Sequence, residues 1–147
     1  MAKILLVHVG YGHFFVEHNK GHHRNVSTER DPASSRFGES LYRFLPRTII
    51  GSYKSAFQLG YFDRREKVFW KNETIILTLM TAFLGVAFTF LGGEKGLILF
   101  FTQAGLAILF LEIINYVEHY GLERKKNPSG RFEKVRPYHS WNSDYLF

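Results

Sequence analysis

Residues Glu17 to His23 read Glu-His-Asn-Lys-Gly-His-His, a spacing of H-x-x-x-H-H. On an α-helix His18 and His22, four residues apart, share one face and can chelate a single ion. His23 then points about 100° away from His22, far enough round the helix to reach a second ion beside the first. Imidazole is a natural ligand for iron, zinc and copper, and the spacing does not choose among them. A second pattern places Glu112, Asn115, Tyr116 and His119 at i, i+3, i+4 and i+7, one polar stripe on an otherwise apolar helix. His119 is the candidate ligand there. Glu112 is expected to orient His119 or a neighbouring ligand, and Glu17, Asn115 and Glu118 are further candidates for groups that support a ligand. A third cluster, Pro137 to Ser143, follows the turn-rich Asn127-Pro128-Ser129-Gly130 and offers His139 and Asn142 as hydrogen-bonding groups without ligand spacing. His8 and His13 lie in an apolar run and are expected to be structural. The competing readings are an incidental surface cluster of histidines and a Glu112 that simply reaches a membrane interface.

The elements that must hold these groups follow from composition. The 147 residues are 46% hydrophobic and 17% aromatic, which argues against disorder. There is no Cys, so thiolate metal sites, disulfides and cysteine nucleophiles are excluded. Ile4 to Val16 is apolar but too short to span a bilayer, and reads as the end of a preceding membrane helix over 1–16. Residues 17–71 are polar and charged. Thr74 to Gly92 then runs without a charge, Gly93-Glu94-Lys95 interrupts, and Gly96 to Ile114 is apolar again apart from Glu112. The pattern predicts an all-α membrane protein. A transmembrane helical hairpin, 74–92 and 96–114, joins cytoplasmic helical segments, 17–71 and 115–147, that carry histidine boxes. Arg64, Arg65, Lys67 and Lys71 precede the hairpin and Arg124, Lys125 and Lys126 follow it, so the positive-inside rule puts both flanks in the cytoplasm. A soluble protein with two buried helices is the alternative. Phe37 to Lys54 is basic and apolar at near-helical spacing, suited to anionic headgroups or an acidic protein, and Pro46 argues against one unbroken helix there. The net charge of +6 does not form a stripe apart from the membrane segments, so a nucleic-acid role is not supported. A histidine cluster is costly to desolvate, and its place between membrane segments points to function.

At the level of whole segments the chain resembles the membrane fatty acid desaturase and hydroxylase superfamily, and within it the alkane monooxygenases. EHNKGHHRNV, Glu17 to Val26, resembles that family's second histidine box. DPASSRFGESLYRF, Asp31 to Phe44, resembles the stretch after it, and NYVEHYGLERKK and GRFEKVRPYHSWNS resemble later segments in the same order. The resemblance implies two non-haem iron ions held by histidine, with His18, His22, His23 and His119 among the ligands. It implies hydroxylation of medium- to long-chain n-alkanes to 1-alkanols with O2, electrons from rubredoxin, and a multi-pass place in the bacterial inner membrane. Two further boxes, H-E-x-x-H-K and R-H-S-D-H-H, are expected before Met1 and after Phe147, which would make the chain an internal fragment. Xylene monooxygenase hydroxylases and fatty acid desaturases are the alternative enzymes. A membrane scaffold with incidental histidines, and no stoichiometric metal, is the non-enzyme alternative.

Overall fold

In the computed structural model, residues 1–62 and 69–141 are described, and all of their regular structure beyond one isolated bridge is helical. The order is α1 (Ala2–His8), α2 (Gly12–Glu17), a π-helical turn (His18–His22), a short α3 (His23–Asn25), α4 (Leu41–Phe62) and α5 (Glu73–His119), with 3-10 turns at Phe69–Lys71 and Pro137–His139. Arg64, Arg65, Lys67 and Asn142, on which parts of the sequence reading rest, lie outside the described residues.

α5 dominates. Asn72 caps it, its side-chain Oδ1 accepting the Thr74 N–H at 2.9 Å, with Glu73 in the first turn. A straight helix of its 47 residues would be about 70 Å long, more than twice the ~30 Å hydrocarbon core of a bilayer. It is not straight. Gly93 leaves helical geometry at φ 58°, ψ −142°, a conformation open to glycine. Phe88 and Phe100, which a straight helix would set ~18 Å apart along its axis, have rings 5.5 Å apart. A side chain at Gly96 would strike the Phe88 carbonyl, so glycine is what allows the two arms this approach. The Glu94-Lys95 break of the sequence is thus a single-residue kink at Gly93, and the second arm runs beyond 114 to His119.

Away from Glu94-Lys95 and the stripe from Glu112 to His119, α5 is apolar, with a mean hydropathy of 2.3 in its most apolar window, and only 17% of that window is buried. Leu79, Phe83, Phe90, Phe101 and Phe110 point outward. The interior is the opposite. Besides Val7, Val16, Ala56 and Leu77, the fully buried positions include Glu17, Thr48, Ser52, Asn72, Thr74 and Glu112. A polar interior inside an apolar exterior is the arrangement of a protein solvated by lipid. The chain is a membrane-type helical protein.

The N-terminal apolar run is divided around Gly10 into α1 and α2. One local expectation is corrected. α4 runs unbroken through Pro46. Pro46 lies early in the helix, and the carbonyl its missing N–H would have served belongs to Tyr42, which is exposed. The inward face of α4 is Phe44, Thr48, Ser52 and Ala56, spaced by four and each fully buried.

Candidate metal centre

The four candidate ligands come together. The His18 ring lies 5.2 Å from His22 and 4.6 Å from His23, and His22 lies 5.8 Å from His23 and 4.8 Å from His119. His119 arrives from 97 residues downstream of His22, at the last turn of α5, and Gly121, at φ 70°, turns the chain off the helix directly after it. The segment 18–23 is not a regular α-helix. His18–His22 is a π-helical turn, whose i→i+5 bonding widens the helix. Five residues on, the His23 ring returns to His18, nearer to it than His22 is, while His22 and His23 are the farthest apart of the three. Gly21 makes the turn possible: a side chain there would strike the Glu17 carboxylate and lie 3.1 Å from Leu59 Cδ1.

Hydrogen bonds set which nitrogens are free. His22 Nδ1 donates to Asp31 Oδ2 at 2.9 Å, and His119 Nδ1 donates to the His139 carbonyl at 3.2 Å. Both rings therefore keep Nε2 available. His119 Nε2 and His18 Nδ1 are buried without a hydrogen-bond partner, a condition that costs about 1–3 kcal/mol per group unless something satisfies it. Burial holds the His18 imidazole down at about 4, helped by the neighbouring His22 and His23, so at neutral pH it is in the uncharged form that binds metals. Burial and the nearby His22 lower His119 as well. His22 goes the other way: burial would lower it, but the hydrogen bond and charge of Asp31 raise it by more. A borderline cation matches this all-imidazole donor set and its unpartnered nitrogens. Among the described residues no three donors already stand at ligating distance from one point, so this is a cluster of donors rather than a closed coordination sphere.

The supporting candidates divide. Glu118 lines the same cleft, of about 420 Å³, together with Arg136 and His139, and its Oε2 is 3.9 Å from His119 Nε2. Burial raises the Glu118 carboxyl. His139 supports His119 through its backbone carbonyl, while its own Nδ1 accepts the Arg136 N–H at 2.9 Å. Glu17 backs the π turn from α2; burial, then the charge of Asp31, pushes it up to about 7. Glu112 does not hydrogen-bond to His119 or to any other of the four histidines. Its carboxylate accepts from Tyr11 at 2.7 Å, Thr48 at 2.8 Å and Asn115 at 3.3 Å, tying the start of α2 and the middle of α4 to α5. Asn115 is part of that knot. His8 bonds back to its own turn, Nδ1 to the Ile4 carbonyl, and His13 is buried against Tyr11 and Tyr53.

Sequence reasoning missed Asp31, Ser34, Tyr11 and Thr48. Asp31 stood in a segment noted only for its resemblance. An acidic residue shortly after a histidine box is the signal that could have found it, because ligating histidines commonly donate to a carboxylate.

A helical, lipid-facing chain with a histidine cluster at the end of its long helix, His22 and His119 buried, His18 half-buried and His23 exposed, is a membrane-type histidine-box protein. The fatty acid desaturase sequence pattern matches residues 2–147, and the chain belongs to that family. It is 46% identical over 150 residues to alkane 1-monooxygenase 1 of Alcanivorax borkumensis and 45% identical to alkane 1-monooxygenase of Ectopseudomonas oleovorans, each alignment covering 99% of this chain and 37% of the relative. It is 29% identical over 150 residues to the xylene/toluene monooxygenase hydroxylase component of Pseudomonas putida, covering 97% of this chain and 38% of that protein. The chain thus spans well under half the length of these curated relatives.

Proposed function

We propose that the chain is part of a membrane alkane 1-monooxygenase that converts n-alkanes to 1-alkanols with O2 and electrons from rubredoxin, at two non-haem irons. The observation that carries the reading is the meeting of His22 and His119, rings 4.8 Å apart, from segments that both match the relatives. His18, His22, His23 and His119 would hold metal. Bound iron would supply the activation of dioxygen that side chains alone cannot. Four histidines are fewer donors than two irons need, so the reading places further ligands outside the described residues.

The rest of the chain serves that chemistry by position. Asp31 and the His139 carbonyl keep Nδ1 of His22 and His119 occupied and leave Nε2 for metal. The C-terminal segment laces over the cluster: Trp141 N–H donates to the Glu118 carbonyl, and Arg124 donates to the carbonyls of Arg24 and Val26 just after the box. This segment walls the cleft on the His119 side, where His22 and His119 are buried, while His23 stays exposed. The two arms of α5 read as a transmembrane hairpin with Glu94 and Lys95 in the periplasm and the histidines at the cytoplasmic face of the inner membrane. The approach of Phe88 to Phe100 and the basic residues around Arg124 support that topology. An alkane dissolved in the bilayer then lies beside the site.

The test uses the intact protein in lipid nanodiscs with ferrous iron, rubredoxin, its reductase, NADH and a medium-chain alkane. The expected product is 1-alkanol by gas chromatography, with loss of both iron and product in His119→Ala. An alkene product would reassign the chain to desaturation, and wild-type turnover by His119→Ala would remove His119 from the centre. The similarity of 46% to an alkane 1-monooxygenase against 29% to the xylene/toluene component favours the alkane reading.

A further inference from the structure

We propose that Asp31 is the positioning residue for the His22 ligand, and that α4 holds Asp31 in place through Arg47 and Gly51. The proposal rests on the metal-centre reading above and goes beyond it by assigning a role to residues outside the histidine box. His22 and Asp31 are both buried, and the Nδ1–Oδ2 bond is 2.9 Å. An ionised carboxylate only accepts, so the proton stays on Nδ1 and the Nε2 lone pair is the one presented to metal.

Asp31 is itself fixed. Its Oδ2 also accepts the Ser34 hydroxyl at 2.5 Å, and its Oδ1 accepts the Ala33 N–H at 3.1 Å. The carboxylate cannot turn away from His22 without breaking one of these. The loop that carries it is clamped from α4. Arg47 donates to the Pro32 and Ser34 carbonyls, both at 3.1 Å, and is aimed by two bonds to Glu39 at 2.6 and 2.8 Å. Pro32 seats directly on Gly51, where a side-chain Cβ would come within 2.7 Å of the proline Cβ. The path therefore runs from α4 to the loop 32–34, to Asp31, to the His22 ring. His119 lacks an equivalent charge, since its Nδ1 meets a neutral carbonyl. A carboxylate partner makes an imidazole a stronger donor than a carbonyl does, so His22 is the stronger ligand of the two.

The experiment titrates the purified metal-free intact protein with ferrous ion against a competing chelator, and separately records the ligand-field spectrum at saturating cobalt(II). Asp31→Ala is expected to weaken ferrous binding by roughly 10–100-fold and to shift the cobalt spectrum. Asp31→Asn keeps an acceptor without the charge and should fall between. Gly51→Ala should act in the same direction as Asp31→Ala but less, and Glu29→Ala, on an exposed residue, should bind as the parent does. In a His22→Ala background, Asp31→Ala should cause no further loss. A purely structural role for Asp31 would leave the spectrum at saturation unmoved. If Asp31→Ala does not fold, Asp31→Asn decides. Parent-like affinity and spectrum in the Asp31 variants overturn the positioning role while leaving the metal centre intact. A parent that binds neither ion overturns the metal centre and this proposal together.

Discussion

Replacing Glu112 with alanine should loosen the whole helical assembly, although Glu112 bonds to none of the four histidines. The carboxylate is fully buried and accepts from Tyr11, Thr48 and Asn115. Its removal strands three donors, each worth about 1–3 kcal/mol when left unsatisfied, the 3.3 Å Asn115 contact being the weakest. Hydroxyls that rotate to other acceptors recover part of this, and the cavity left by the side chain adds to it, for a net loss of about 3–6 kcal/mol. At roughly 2–4 °C per kcal/mol for a domain of this size class, the unfolding midpoint should fall by about 10 °C. Glu112→Gln keeps one acceptor oxygen, and its amide can donate to a hydroxyl turned to accept, so its cost should be about 1 kcal/mol. The assay is thermal unfolding of the detergent-solubilised intact protein followed by tryptophan fluorescence. A cycle with Tyr11→Phe isolates the pairwise term, because Tyr11→Phe should cost little once Glu112 is gone. A shift below about 2 °C for Glu112→Ala, or equal damage from Gln and Ala, would refute the claim that hydrogen bonding at this knot holds α2, α4 and α5 together.

Three further outcomes are expected. Gly21→Ala should lower the iron content of the purified intact protein several-fold, because the added methyl strikes the Glu17 carboxylate inside the π turn; unchanged iron by elemental analysis would show that the turn can relax at no cost. Arg47→Met should destabilise at neutral pH, with the deficit shrinking in acid. Arg47 holds the Glu39 carboxyl below its ordinary 4.5, so the stabilisation is present above 4.5 and is lost as pH falls through the lower folded value; urea midpoints that differ equally at pH 7 and pH 3 would contradict this. Single cysteines at positions 94 and 125, in a chain with none of its own, should label from opposite sides of the membrane; external labelling at 125 would reverse the topology.

Much of this was legible in the sequence. The charge-free run from Thr74 to Gly92 and the apolar run after Lys95 determine a lipid-facing helix by length and hydropathy alone, because lipid accepts no other backbone arrangement short of a barrel. H-x-x-x-H-H determines that three imidazoles share one short segment, and the polar stripe ending at His119 marks where a fourth would come from. Tertiary structure decided the rest. The π turn His18–His22 packs Gly21 so close to Glu17 of α2 and Leu59 of α4 that no side chain fits there, contacts that local periodicity does not encode. Glu112 has the spacing to serve His119, yet it bonds to Tyr11, 101 residues away, and Thr48, 64 away. Pro46 reads as a breaker, but a helix end exposed to solvent leaves the unserved Tyr42 carbonyl free to bond elsewhere. Residue types and spacing fix which groups are available, because they follow from the covalent chain. Which group faces which is fixed by packing between segments distant in sequence, and that information exists only once the chain has folded.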